Sequence, residues 1–261
     1  MLKAARNQYR GVFVGESHLP EDDDAFVAGL AAALPQWQAE GIRVAWLQIP
    51  AARAALVPHA IQAGFEFHLC DGPKLMLVKR LEAGAYVPAG ATHTIGMGGV
   101  VISEDARVLV VLERRDVTAR PGYYKLPGGM LEPGEHFSDG VVREVHEETG
   151  IRAAFQGVVS LRHHHKGQFG TSNLYVVCRL RPLDLEISVD DEEIGDAMWV
   201  DIAEYLANPA IGVYNKRVVQ AAVAGRLLSM EEVEGYMSPG EYEVFIGDRH
   251  NGIAEPSLEK S

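Results

Sequence analysis

The chain has 261 residues and a mass of 28.5 kDa, enough for one large domain or two medium ones. Its composition, 47% hydrophobic and 23% charged, excludes collagen-like and low-complexity chains. A formal net charge of −12 argues against a nucleic-acid-binding surface, since that affinity comes from Lys and Arg neutralising phosphates. It leaves room for a small anionic ligand bridged by divalent cations.

In chain order, Gly11–Val14 is a short apolar run. The acids Glu21–Asp24 open a helical pattern through Phe26, Val27 and Leu30 to Leu34, where the helix dipole favours negative charge. A strand follows over Ile42–Ile49, then a helix over Ala51–Ala63 closed by Gly64. Strands at Phe65–Leu69 and Leu75–Leu81 flank the turn Asp71-Gly72-Pro73. The Gly-, Ala- and Pro-rich stretch from Leu81 to Gly96 reads as a linker. Beyond it come strands at Val100–Ile102 and Val108–Glu113, a loop, a helix ending at Gly150, and strands at Gln156–Leu161, Leu174–Arg179 and Ala197–Val200. A helix over Lys216–Leu228 and a polar tail complete the pattern. The expected division is residues 1–90, 91–235 and a tail over 236–261. Cys70 and Cys178 lie in apolar segments and read as buried, reduced thiols. No stretch approaches the roughly 20 apolar residues of a membrane span, and the N-terminus lacks a continuous apolar region, so a cytoplasmic protein without membrane contact is expected.

The chemistry concentrates between Gly129 and Ile151. Gly129, Glu135, Arg143, Glu144, Glu147, Glu148 and Gly150 stand at fixed spacings, with aliphatic Val145 and Ile151 between and after them. At ordinary residue usage, seven identities of this kind arise by chance in about one window in 10⁸. Ser138 or Asp139 is placed to cap the helix. Val142, Val145 and Thr149 form its buried face. Glu144, Glu147 and Glu148 fall three and four residues apart on another face, close to the negative end of the dipole. Each such like-charged pair costs roughly 0.2–0.5 kcal/mol, so the arrangement makes sense once hard cations relieve it. Oxygen-only ligation points to Mg²⁺ or Mn²⁺.

These residues match the Nudix box at every fixed position, and the chain resembles the Nudix hydrolase family. The resemblance implies an α/β fold, the Nudix α/β/α sandwich with a mixed sheet. It also implies a metal-dependent hydrolase of pyrophosphate bonds. Glu144, Glu147 and Glu148 would be metal ligands, joined by a backbone carbonyl of Gly128 or Gly129. Glu135 would support the metal site, and Arg143 would orient the carboxylates by ion pairing. In the run Asp190-Asp191-Glu192-Glu193, Glu193, with Glu192 next, matches the downstream carboxylate that family enzymes use as a further ligand or general base. Flanking matches, among them Trp46–Pro50, Gly64–His68, Leu161–His164 and Phe169–Tyr175, resemble a subgroup that includes plant enzymes acting on ADP-ribose and NADH. The animal fibroblast-growth-factor antisense Nudix protein belongs to the same subgroup. Its first domain is GNAT-like in fold, but residues 1–90 hold no acetyl-coenzyme A loop. ADP-ribose or NADH is the expected substrate, with AMP released. Coenzyme A, another nucleoside diphosphate derivative, or a non-catalytic sensor of ADP-ribose are the alternatives. The first domain would supply a dimer or substrate-lid surface, a homodimer being the expected assembly.

Other signals are weaker. Gly96-Met97-Gly98-Gly99 is followed by strand-like residues, not a helix, which excludes a Rossmann loop. Consecutive His163, His164 and His165 point in different directions on a strand, so one of them, His164, together with Arg162, is a candidate substrate contact. Arg114 and Arg115 follow a strand, and Arg115 is a candidate for phosphate or ribose. Tyr123 and Tyr124 precede the glycine pair, and Tyr124 is a candidate to stack on a base.

Overall fold

A computed structural model describes residues 2–189, 192–238 and 240–247. Asp190 and Asp191 of the acidic run, and residues 248–261 of the expected tail, lie outside the described residues. Two compact units meet between Thr92 and His93.

The first unit is built on a five-stranded sheet ordered β1 (Ala5–Asn7), β2 (Gly11–Val14), β3 (Val44–Pro50), β5 (Lys74–Arg80) and β4 (Glu66–Asp71). Only β2 and β3 run parallel. Helix α1 (Asp23–Ala39) begins where Asp22 accepts the Ala25 N–H at 2.7 Å. It packs Phe26, Leu30 and Ala33 against Val12, Leu47 and Leu77. The helix outruns its expected end at Leu34, passing Pro35, because Trp37 is buried in the same core. The helix expected over Ala51–Ala63 is instead a 3₁₀ stretch, Ala51–Leu56, followed by α2 (Val57–Gln62). Arg53 leaves helical geometry (φ −114°, ψ 29°), and Pro58, lacking an N–H, sits in the first turn of α2. Cys70 is exposed, contrary to expectation: it lies on β4, an edge strand paired only with β5.

The second unit begins at His93, beside the expected boundary at 90/91, and its first strand, β6 (His93–Val101), starts earlier than the expected Val100 and within the expected linker. Its mixed sheet is ordered β12 (Phe245–Gly247), β11 (Leu228–Met230), β8 (Ala153–His164), β9 (Ser172–Pro182) and β6, the β6–β9 pair being parallel. A second antiparallel pair joins β7 (Arg107–Glu113) to β10 (Ile194–Asp201). Alternation along the strands builds two cores. Met97, Val101, Val176 and Cys178 face helix α4 (Phe137–Thr149) through Val141 and Val145. Val100 and Val177 face the other way, toward Val218, Val219 and Ala222 of α6 (Val213–Val223) and Tyr205 of α5 (Ile202–Ala207). A short turn of helix, α3 (Asp116–Ala119), follows β7. This is the α/β/α sandwich, with Cys178 buried as expected. The polar tail is in part a strand: Met230 of β11 stands opposite Phe245 of β12, and Leu228 reaches Val158 of β8. Among the described residues no helix is long and apolar enough to cross a membrane.

Candidate active site

The segment before α4 is fastened on both sides. Val111 of β7 and Lys125 exchange backbone hydrogen bonds at 2.9 Å. The chain then crosses to β6, where the Gly99 N–H donates to the Pro127 carbonyl and the Met97 N–H to that of Gly129, both at 2.8 Å. Gly128 sits at φ 146°, and a Cβ there would stand 2.1 Å from the Met97 carbonyl oxygen, so only glycine fits. A Cβ on Gly98 would lie 2.3 Å from the Tyr175 hydroxyl. The Gly96–Gly99 run is thus a close-packing surface for this crossing.

Helix α4 buries Val141, Val145, Glu148 and Thr149; Val142 is only partly covered, one position off the expected stripe. Its N-cap is His136, and neither Ser138 nor Asp139 caps it, because Glu243 occupies the first N–H groups. Arg143 holds the acids together. Its Nε and Nη2 donate to the two Glu135 oxygens at 2.8 and 3.0 Å. Its Nη1 reaches Glu144 at 3.1 Å and Glu147 at 2.8 Å. The hydrogen bond from Arg143 holds the Glu135 carboxyl below its ordinary range, and the same bond raises the guanidinium. Glu135, also bonded to the Glu132 N–H at 3.0 Å, serves this clamp and is not among the residues lining the cleft.

Glu148 is the most buried of the acids on α4. Gly128 donates its N–H to it at 2.8 Å, and Lys125 stands 3.9 Å away. Burial nevertheless pushes its carboxyl up to about 7. Burial raises Glu144 as well, whose carboxylate lies over the bare backbone of Gly129. The Gly129 carbonyl accepts the Met97 N–H and keeps a second lone pair, and the bare Cα of Gly129 leaves room for the Glu144 carboxylate.

Two adjoining cavities of about 370 and 700 Å³ share Glu144, Glu148 and Glu193. Glu147 completes the smaller one. The larger adds Gly128, Gly129 and Glu192, and Arg114, Arg115 and Lys125 also line it. Sequence reasoning missed Lys125 and Glu113, which pair at 2.5 Å; Arg115 also bonds Glu113. Lys125 stands directly before Leu126-Pro127-Gly128-Gly129, the one available signal. Three expected contacts fall elsewhere. Tyr124 packs its ring into the α6-side core and donates its hydroxyl to Asp196 at 2.5 Å, so it does not stack in the cleft. Arg162 lies over the rings of Tyr175 and Tyr214, 5.0 and 5.5 Å from their centroids. His164 stands at the end of β8 opposite Asn173. Neither Arg162 nor His164 is among the described residues lining the cleft.

Among the described residues no three acidic, histidine or cysteine side chains yet converge as a metal-binding group. The cause is visible: Glu144 and Glu147 are turned onto Arg143, and Glu148 onto the Gly128 amide. The donors nonetheless fit a hard cation in kind, being carboxylate oxygens around one cavity, and burial disfavours the bare charge on one of them, Glu148.

Residues 92–221 match the family model described as the NUDIX domain, and residues 2–81 match a second, the Nudix hydrolase domain. The chain is 36% identical over 215 residues to Nudix hydrolase 2 of Arabidopsis thaliana, covering 82% of this chain and 77% of that one. The chain belongs to the Nudix hydrolase family. It is also 38% identical over 213 residues to Nudix hydrolase 8 of the same plant, covering 81% of this chain but only 58% of that longer protein. To Nucleoside diphosphate-linked moiety X motif 6 of Homo sapiens it is 33% identical over 216 residues, 82% of this chain and 68% of that one. Nudix hydrolases act on small molecules, nucleoside diphosphates linked to another moiety, and generally need divalent metal ions.

Proposed function

We propose that this Nudix protein hydrolyses the pyrophosphate linkage of ADP-ribose or NADH, releasing AMP and a phosphorylated partner, with Mg²⁺ or Mn²⁺ held by Glu144, Glu147 and Glu148. One observation carries the reading: a single cavity is lined by the carboxylates of Glu144, Glu148, Glu192 and Glu193 together with the cations Arg114, Arg115 and Lys125. A diphosphate bridged to carboxylates by metal ions needs both kinds of side chain. The bound ions would neutralise the diphosphate, acidify a water and stabilise charge on the departing phosphate.

The remaining work falls to side chains of the chain itself. Arg143 releases Glu144 and Glu147 toward the cavity while keeping its paired bonds to Glu135. Arg114 and Arg115 receive phosphate oxygens in the larger cavity. Glu193, which lines the smaller cavity together with the α4 acids, accepts the proton of the attacking water. Incubation with ADP-ribose, NADH, coenzyme A and diadenosine polyphosphates, with Mg²⁺ or Mn²⁺ and with chelator, tests this. AMP from ADP-ribose or NADH, dependent on metal, is expected. Binding of ADP-ribose without turnover of any of the four would make the protein a sensor instead.

A further inference from the structure

The family match ends at residue 221, yet the chain beyond it is packed onto the helix that carries the box. Phe245 of β12 stacks on Phe137, the first residue of α4, with centroids 6.0 Å apart and planes 12° apart, and meets Phe155 at 5.8 Å. Two residues earlier, Glu243 accepts the Phe137 N–H at 2.6 Å and the Ser138 N–H at 3.0 Å. His136, the N-cap residue, makes no side-chain cap of its own; its Nε2 donates to the Gly240 carbonyl at 2.9 Å.

A helix leaves its first N–H groups unsatisfied and carries partial positive charge there. A carboxylate answers both needs, and here it comes from 105 residues downstream. The same end of α4 must sit tightly against the box loop: a Cβ on Gly140 would stand 2.9 Å from Glu135, Leu131 and Met97 alike. Loosening the first turn therefore shifts Arg143 against Glu135, and with it the three acids.

We infer that Glu243 is a positioning residue: the C-terminal segment fixes α4 so that the box carboxylates stay in register for cations. This rests on the metal-binding reading of the box given above. The test uses the full chain as wild type, Glu243→Ala, Glu243→Gln, and Glu243→Ala combined with His136→Asp. Two quantities are measured: Mn²⁺ binding by calorimetry, and amide hydrogen exchange of α4 in metal-free protein. Glu243→Ala should weaken Mn²⁺ binding about tenfold and speed exchange in the first turn of α4. Glu243→Gln, which keeps a carbonyl acceptor, should fall between, and decides the matter if the alanine variant does not fold. His136→Asp, placing a local cap on extended backbone, should restore both quantities. Unchanged Mn²⁺ binding in Glu243→Ala, or restored exchange without restored binding, overturns the inference. If wild type takes up no Mn²⁺, the metal reading fails, and so does a role for Glu243 in metal register; α4 exchange then tells whether the cap itself exists.

Discussion

At its N-terminal end α4 receives one carboxylate, from Glu243; in its last two turns it carries three of its own. The dipole favours the first and opposes the other three. The N-terminal contact follows local preference and is worth about 1 kcal/mol, as helix caps usually are. The C-terminal trio goes against local preference and stands only because Arg143, the Gly128 amide and Lys125 answer part of its charge. Where a structure holds charge against its own field, it is spending stability on chemistry. The largest expected effect follows. Glu148→Gln should cut turnover by at least about 10³-fold, on the order of 4 kcal/mol of barrier, while the purified protein stays folded. Turnover within tenfold of wild type would mean that the burial of Glu148 serves packing alone.

A middle-sized effect separates the two ends by pH. The Glu148 carboxyl is raised from 4.5 to about 7 in the folded protein. Folding therefore takes up a proton at this group between those values, and its contribution to stability is complete below pH 4.5 and lost as pH rises through about 7. In chelator, the melting temperature of wild type should fall between pH 5 and pH 8 by more than that of Glu148→Gln. Added Mn²⁺ should stabilise most at the upper end of that window. Glu135 and Glu113, both lowered, act in the opposite sense and only below their ordinary value of 4.5, so they do not blur the window. Parallel melting curves for the two proteins would contradict the assignment.

How much of this was legible in the sequence follows the same divide. The box acids, Arg143 and the glycines are contiguous, and their chemistry is written in spacing along one helix. Glu193 was within reach as the end of an acidic run preceding Trp199. Lys125 and Glu113 were not, because they meet only through the backbone pairing of Val111 with Lys125, a register that no local pattern encodes. The exposed Cys70 shows the limit of reading burial from apolar neighbours: Phe67 and Leu69 beside it are exposed too, on an edge strand. Tyr124 was misplaced for a related reason, since a tyrosine before a glycine pair carries no sign of which face it turns to. The individual strands and helices were legible as patterns, and the sandwich they form came with the family resemblance. Strand β12, three residues long, was not.

The smallest effect is the sharpest test of the N-terminal end. Spacing alone nominates Ser138 or Asp139 as the cap of α4, whereas in the structure Ser138 lies inside the helix and receives a cap through its backbone N–H. A Ser138→Ala substitution leaves that N–H in place and adds a better helix former. It should shift the unfolding free energy by no more than about 0.5 kcal/mol, measured by urea denaturation, against about 1 kcal/mol lost in Glu243→Ala. The order of the two matters more than either size. If Ser138→Ala proves the costlier change, the helix caps itself, the C-terminal segment only lies alongside it, and the contrast between the two ends of α4 loses its N-terminal half.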